Sequence, residues 1–246
     1  MRSIILLLSL IICFSLSAKE KTPVVAYFYH AKPPLLINQI DKQGLYFDFI
    51  NYLNKHSDIY QFELVYMPRK RLDIMLENDA LGGLVVGVNP IWFKDKNETK
   101  YFWTSRLFTD RDEVISLNRT PLTFMSPVSL HGKIFGGVRG FYYFGIDEAV
   151  NKNLIKRVDT ADEISLFSML RHQRIDAAVV SRSTFNYVVK KNDWFTLFHL
   201  SKKPHDIYDR RVLIPKSDHA LYQHVEKIML NMTLNQQWQI TLEQYL

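Results

Sequence analysis

Hydrophobic positions recur along this chain in two alternating rhythms. From Pro23 to Tyr29 the residues PVVAYFY are apolar, β-branched or aromatic, and they stop at the turn-forming Ala31-Lys32-Pro33-Pro34. That pattern predicts a buried strand. After a polar turn, Tyr46, Phe49, Ile50 and Leu53 fall at i, i+3, i+4 and i+7, with Asp48, Asn51 and Asn54 opposite. This is the period of an amphipathic helix. The alternation continues with a strand over Gln61–Met67, a helix over Arg69–Asn78, a strand over Leu84–Val88 and a loop over Asn89–Lys100.

A second series follows the same rhythm. Val114–Leu117 predicts a short strand leading into the polar stretch Asn118–Ser129, and Lys133–Val138 predicts another strand. A helix is expected around Asp147–Asn153. Thr160 followed by Glu163 has the spacing of a capping box ahead of a helix over Ile164–Arg171. Strands are expected over Arg174–Val180, Trp194–Leu200 and Tyr208–Pro215, with a short helix over Thr184–Lys191. Leu221, Val225, Ile228, Met229 and Met232 mark one apolar helix face, and a last helix ends the chain.

Strands alternating with helices imply α/β architecture, with mostly parallel sheets flanked by helices. Two such series joined by two extended crossings, near 112–118 and 208–214, imply two lobes on a two-strand hinge with a cleft between them. The expected division is 22–113 with 212–246 for one lobe and 116–208 for the other.

Composition narrows the class. Of 246 residues, 47% are hydrophobic and 23% charged, which is globular rather than disordered. One cysteine excludes a disulfide scaffold and any multi-cysteine metal site. The net charge of +6 is mild and gives no reason to expect a nucleic-acid partner. Arg2, the apolar run Ile4–Leu16 and the small residues Ser15, Ser17 and Ala18 are ordered as in a secretory signal peptide, so residues 1–18 are expected to be removed on export to the periplasm. That run is too short to span a bilayer. Cys13 lies inside it and would be discarded with it, leaving a mature chain without cysteine.

Six motifs, in order, now carry a family resemblance. Pro33-Pro34 follows the first strand, and Gly44-Leu45-Tyr46-Phe47-Asp48 opens the first helix. Trp103-Thr104-Ser105 with Leu107-Phe108 precedes the hinge, and Ser129-Leu130-His131-Gly132-Lys133 opens the second lobe. Arg174-Ile175-Asp176-Ala177-Ala178-Val179 forms a strand, and Val212-Leu213-Ile214-Pro215-Lys216 returns to the first lobe. Together they resemble the bacterial extracellular solute-binding proteins of family 3, the type II periplasmic binding proteins. The resemblance implies a monomer that closes on a small polar or amino-acid-like solute. It implies an inner-membrane ABC permease or a signalling partner, and no cofactor. It also extends to a periplasmic cyclohexadienyl dehydratase, so an enzyme on the same fold stays open, as does a stand-alone sensory or structural protein.

Ligand contacts are expected at strand ends and loop starts. Tyr27, Tyr29 and Trp92 offer aromatic faces there, although core packing explains them equally well. Arg139, before Gly140 and Tyr142, follows a strand and precedes a helix, so it is placed to pair with an anion, or else to sit in solvent. The family's arginine clamp for an α-carboxylate has no counterpart in Gly87–Lys94, where Lys94 stands nearest. The resemblance places Ser181 where an aspartate would take the α-ammonium. With both halves of that clamp weakened, the expected ligand has an anionic group with an aromatic or apolar portion, or is an amino-acid derivative with a blocked amine. Arg106 and Asp176 are the alternatives that would restore the clamp. Pro68-Arg69-Lys70-Arg71 reads as a solvated helix face. The histidines show no metal spacing and no serine shows a triad, so neither a catalytic nor a metal residue is assigned.

Overall fold

A computed structural model describes residues 20–246, so the expected signal peptide, residues 1–18, lies outside the described residues. The first half is built on parallel strands β1 (Thr22–Phe28), β2 (Tyr60–Tyr66) and β3 (Leu84–Val88), with β1 in the middle. Helix α1 (Leu45–His56) follows β1, and its buried face is Leu45, Tyr46, Phe49, Ile50 and Leu53, the stripe its periodicity dictates. Gly44 precedes it at a φ of 133°, where a Cβ would lie 2.7 Å from the Leu35 carbonyl oxygen. Only glycine fits that turn. Helix α2 (Arg69–Glu77) links β2 to β3.

The loop after β3 holds a 3₁₀ turn, Pro90–Phe93, and then β4 (Tyr101–Trp103), a strand the sequence pattern does not predict. Its fold is tied by Asp95, whose carboxylate accepts from the backbone N–H groups of Thr99, Lys100 and Tyr101 and from Trp103 Nε1. Four donors hold that carboxyl below its ordinary range despite burial.

Strand β5 (Phe108–Leu117) then enters the second half, where β6 (Ile134–Val138), α3 (Ile146–Asn151), β7 (Lys156–Thr160), α4 (Glu163–Arg171), β8 (Ala177–Ser181), α5 (Arg182–Asn192) and β9 (Phe198–Leu200) follow. Strand β10 (Asp206–Pro215) returns, and helices α6 (His219–Thr233) and α7 (Gln236–Tyr245) cover the first half. The strands run in the order β2-β1-β3-β10-β5-β8-β6-β7. β10 is antiparallel to β5 over Asp206–Arg210 and to β3 over Arg211–Leu213, with a register shift in the latter pairing between Arg211 and Val212. This pair is where the halves join.

Three differences from the sequence pattern have physical causes. β5 runs ten residues rather than four because the charged residues Asp110–Glu113 are strand residues: Asp110 pairs with Arg210 of β10, and Glu113 with Arg111 of the same strand and Arg182 of α5. β7 reads KRVDT, too polar to predict, and lies at the edge of the sheet against β6. The cap of α4 is Asp162, whose side chain accepts from Ser165 N at 2.8 Å, while Thr160 Oγ1 donates to the Asp162 carbonyl. The capping-box reading is therefore corrected, and Glu163 is free to reach elsewhere.

Candidate functional site

The junction of the halves holds a charged side chain with almost no access to water. Arg210, on β10, is 1% exposed. Its Nε donates to Asp110 Oδ2 at 3.2 Å, Nη1 to the Gly87 carbonyl at 3.0 Å and Nη2 to the Tyr208 hydroxyl at 3.2 Å. Nη1 also lies 3.4 Å from Nδ1 of His30, which must accept, so the imidazole proton resides on Nε2. Burial, with Arg210 and Lys32 nearby, keeps His30 well below its ordinary pKa, hence neutral. Burial pushes Asp110 up, but Arg210, Lys32 and hydrogen bonds from Arg111 N and Ser183 outweigh it and leave the carboxyl below the usual range.

Beside this network the two halves touch through a second buried pair. Lys32 follows β1 on the first half and Glu163 starts α4 on the second. Their charged atoms are 2.5 Å apart, with side chains only 8% and 5% exposed. The Lys32 ammonium also donates to the Ser181 hydroxyl. Glu163 in turn accepts from the backbone N–H of Ser181 at 3.0 Å, at the point where β8 ends. Two further bonds cross nearby: Thr184 Oγ1 to the Pro33 carbonyl at 2.8 Å, and Asn186 Nδ2 to the Leu246 carbonyl at 2.7 Å. Asp112 completes the group. It accepts from Tyr208 at 2.9 Å, and burial, with Glu163 close by, raises its pKa to about 6 despite Lys32.

Aromatic rings form the wall on the first-half side. The Tyr29 ring lies 4.0 Å from that of His30, tilted by 39°, and Trp92 meets His30 at 5.3 Å and Tyr208 at 4.9 Å. Across the junction Phe141 meets the edge of His30 at 5.9 Å. Arg69, the first residue of α2, braces the wall by donating to the Tyr29 hydroxyl and to the Trp92 carbonyl while its guanidinium lies 4.0 Å from the Phe93 ring centre.

Solved structures with this arrangement of elements are numerous. The GluR0 ligand-binding core in complex with L-glutamate matches with a TM-score of 0.72 at 15% identity, over 92% of this chain and 98% of that one. The chain has the type II periplasmic binding protein fold. An ancestral arginine-binding protein bound to glutamine matches with a TM-score of 0.70 at 15% identity, covering 92% of this chain and 98% of that one. The substrate-binding protein of an amino acid ABC transporter matches with a TM-score of 0.67 at 16% identity, over 91% and 98%. No family model and no curated protein matches the sequence. At this identity the likeness is one of fold, and it agrees with the motifs read from the sequence.

Within the type II periplasmic binding protein fold the expected ligand contacts divide. Tyr29, Trp92 and Ser181 converge on the buried group just described. Tyr27 sits on the same face of β1 as Tyr29, half-buried against the core beneath α2. Lys94, Arg139 and Tyr142 are exposed; the Tyr142 hydroxyl donates to Glu148 at 2.6 Å, and Lys94 ends the 3₁₀ turn at a φ of 53°. Arg106 and Asp176 line outer cavities of about 550 and 630 Å³, neither of which includes Lys32, Glu163, Ser181 or Arg210. Arg69 is not the solvated residue its basic run suggested. Lys32, Glu163, Asp112, His30, Tyr208 and Arg210 escaped sequence reasoning. The signal available for Lys32 was its place in the turn after β1, where ligand contacts were already expected.

Proposed function

We propose that the protein is a solute-binding protein whose lobes, 22–113 with 212–246 and 116–208, turn about β5 and β10 to enclose one small molecule. The observation that carries this reading is the convergence of buried charged and aromatic side chains from both halves on one place, where Lys32 meets Glu163 and Ser181 beneath Trp92 and Tyr29. A packed single domain gains little from burying so many charges, whereas a cleft that must grip a polar solute requires them. The solute carries an anionic group with an aromatic or apolar portion, which Trp92 and Tyr29 would cover. Export of the chain to the periplasm, and delivery of the solute to an ABC permease or to a signalling partner, complete the proposal. Similarity to the substrate-binding protein of an amino acid ABC transporter supports the role.

Thermal-shift screening of the chain without its first 18 residues against carboxylates, N-acyl amino acids and free amino acids tests the reading. A solute at 100 times its dissociation constant adds about 2.7 kcal/mol. Calorimetry on the hit should give one site, and scattering should show compaction on saturation. A panel without a single hit would count against the reading. Asp112, a cleft carboxyl raised to about 6, also has the character of a general acid or base. Product formation from arogenate or prephenate would favour the dehydratase alternative.

A further inference from the structure

The contact between the halves is itself a small binding site, already filled. Glu163 supplies a carboxylate and Ser181 a hydroxyl, both on the second half; the carboxylate accepts from the Ser181 backbone N–H where β8 ends, and from the Ser181 hydroxyl at 3.3 Å. The group they hold is a primary ammonium, and it belongs to the other half of the same chain. Lys32 is 7% exposed and Glu163 5%. Removing one member of so buried a pair leaves an uncompensated charge, so the seat demands a cation whenever the halves are together. Lysine suits this role because its ammonium is a compact charge on a flexible stem, able to reach across a gap that a short side chain cannot.

We propose that Lys32 occupies an ammonium-binding seat as a tethered occupant, so that the solute of this cleft carries no free ammonium at that position. The proposal rests on the solute-binding reading for its consequence about ligands, but the seat itself is testable without any natural solute. A free amine competes against a side chain attached to the same molecule, whose effective concentration is in the millimolar range or above. An amine that succeeded would also have to leave the displaced Lys32 ammonium somewhere other than this dry contact. The nearby carboxylates are already engaged: Asp110 pairs with Arg210, and Asp112 accepts from the Tyr208 hydroxyl. A carboxylate or an acylated amine avoids both penalties and leaves the Lys32–Glu163 pair in place.

The test is chemical rescue. Lys32→Ala removes a chain that ends in a primary ammonium, and propylammonium replaces the missing atoms. We expect the Lys32→Ala variant to melt below the wild type and to regain stability saturably with propylammonium. Propanol and sodium chloride at equal concentration should leave it unchanged, and the wild type should not respond to propylammonium. We also expect free amino acids to bind Lys32→Ala at least about tenfold more tightly than the wild type, as the loss of a tethered competitor requires. Rescue absent, or rescue equalled by propanol, overturns the seat. Wild-type protein that binds free amino acids as tightly as the variant overturns the selectivity. If Lys32→Ala does not fold, Glu163→Gln is measured in its place, since it keeps the shape and removes the charge that draws Lys32. Its expected signature is amine binding as weak as in the wild type together with a more expanded scattering profile; an unchanged profile refutes the bridge. A solute panel without hits, alongside successful propylammonium rescue, would remove the solute-binding reading and leave the seat standing.

Discussion

The two sheets of the molecule and the junction between them are built on opposite principles. Around β1 and β3 the buried positions are Val24, Ala26, Phe28, Leu84 and Val86, apolar residues that any strand of this period would place inward. At the junction the buried positions include Asp110, Glu163, Lys32 and Arg210, each paired with a partner far away in sequence. The sheets are stabilised by area removed from water, which tolerates imperfect shape. The junction is stabilised by pairing, which tolerates no missing member.

Substitutions at the two regions therefore separate cleanly. The largest loss is expected at Arg210, where Arg210→Ala leaves Asp110 buried without its partner; about 3–5 kcal/mol should disappear from the unfolding free energy read from denaturant curves. A loss below that of a surface substitution would show that the junction admits water. Next comes the apolar core. Leu166→Ala, fully buried under β6, should cost about 2–4 kcal/mol in the same measurement while leaving the separation of the halves in scattering unchanged.

Smaller effects concern pH. Asp112, raised to about 6, binds its proton more readily folded than unfolded, so between about pH 6 and 4 it adds stability as pH falls. Asp112→Asn should remove that contribution and raise stability near pH 7, by roughly 1–2 kcal/mol. His30 works the other way. Held neutral when folded, it costs stability as pH drops below the ordinary histidine range, and His30→Asn should abolish that loss. Melting curves of both variants from pH 4 to 8 read the opposing slopes; parallel curves would refute the burial of the pair. The smallest change is expected at Tyr142→Phe, which removes an exposed bond to Glu148 and should leave the melting temperature indistinguishable from the wild type. A solute affinity lowered tenfold by that variant would extend the site to the exposed rim.

How much of this was legible in the sequence depends on which of these principles a residue obeys. The stripe of α1 and the run of β3 followed from local period, and the element order and α/β class followed with them. Tyr29 and Trp92 were legible as strand-end aromatics. β5 was read too short because Asp110 and Glu113 look like loop residues until Arg210 and Arg182 are brought to them, 100 and 69 positions away. Glu163 was misassigned to a local cap because the three-residue spacing from Thr160 is a common one, and Asp162 does the capping instead. Ser181 was identified as the weak point of an amino-acid clamp. A carboxylate does lie beside it, that of Glu163, 18 residues earlier, and no local pattern encodes that contact.

The order in which the chain crosses between halves also governs how it can fold. The second half's apolar cores are drawn from residues 114–198, one continuous stretch able to condense as soon as it is made. The first half's core includes Leu221, Val225, Ile228, Met229, Met232 and Trp238 from α6 and α7, packed with Leu45, Phe49 and Leu53 of α1. Its contacts span most of the sequence, and contacts so distant along the chain close slowly. The part of the molecule synthesised first is thus completed last, and until its final two helices arrive, the apolar face of α1 is an exposed surface that a chaperone or a sticky neighbour can seize.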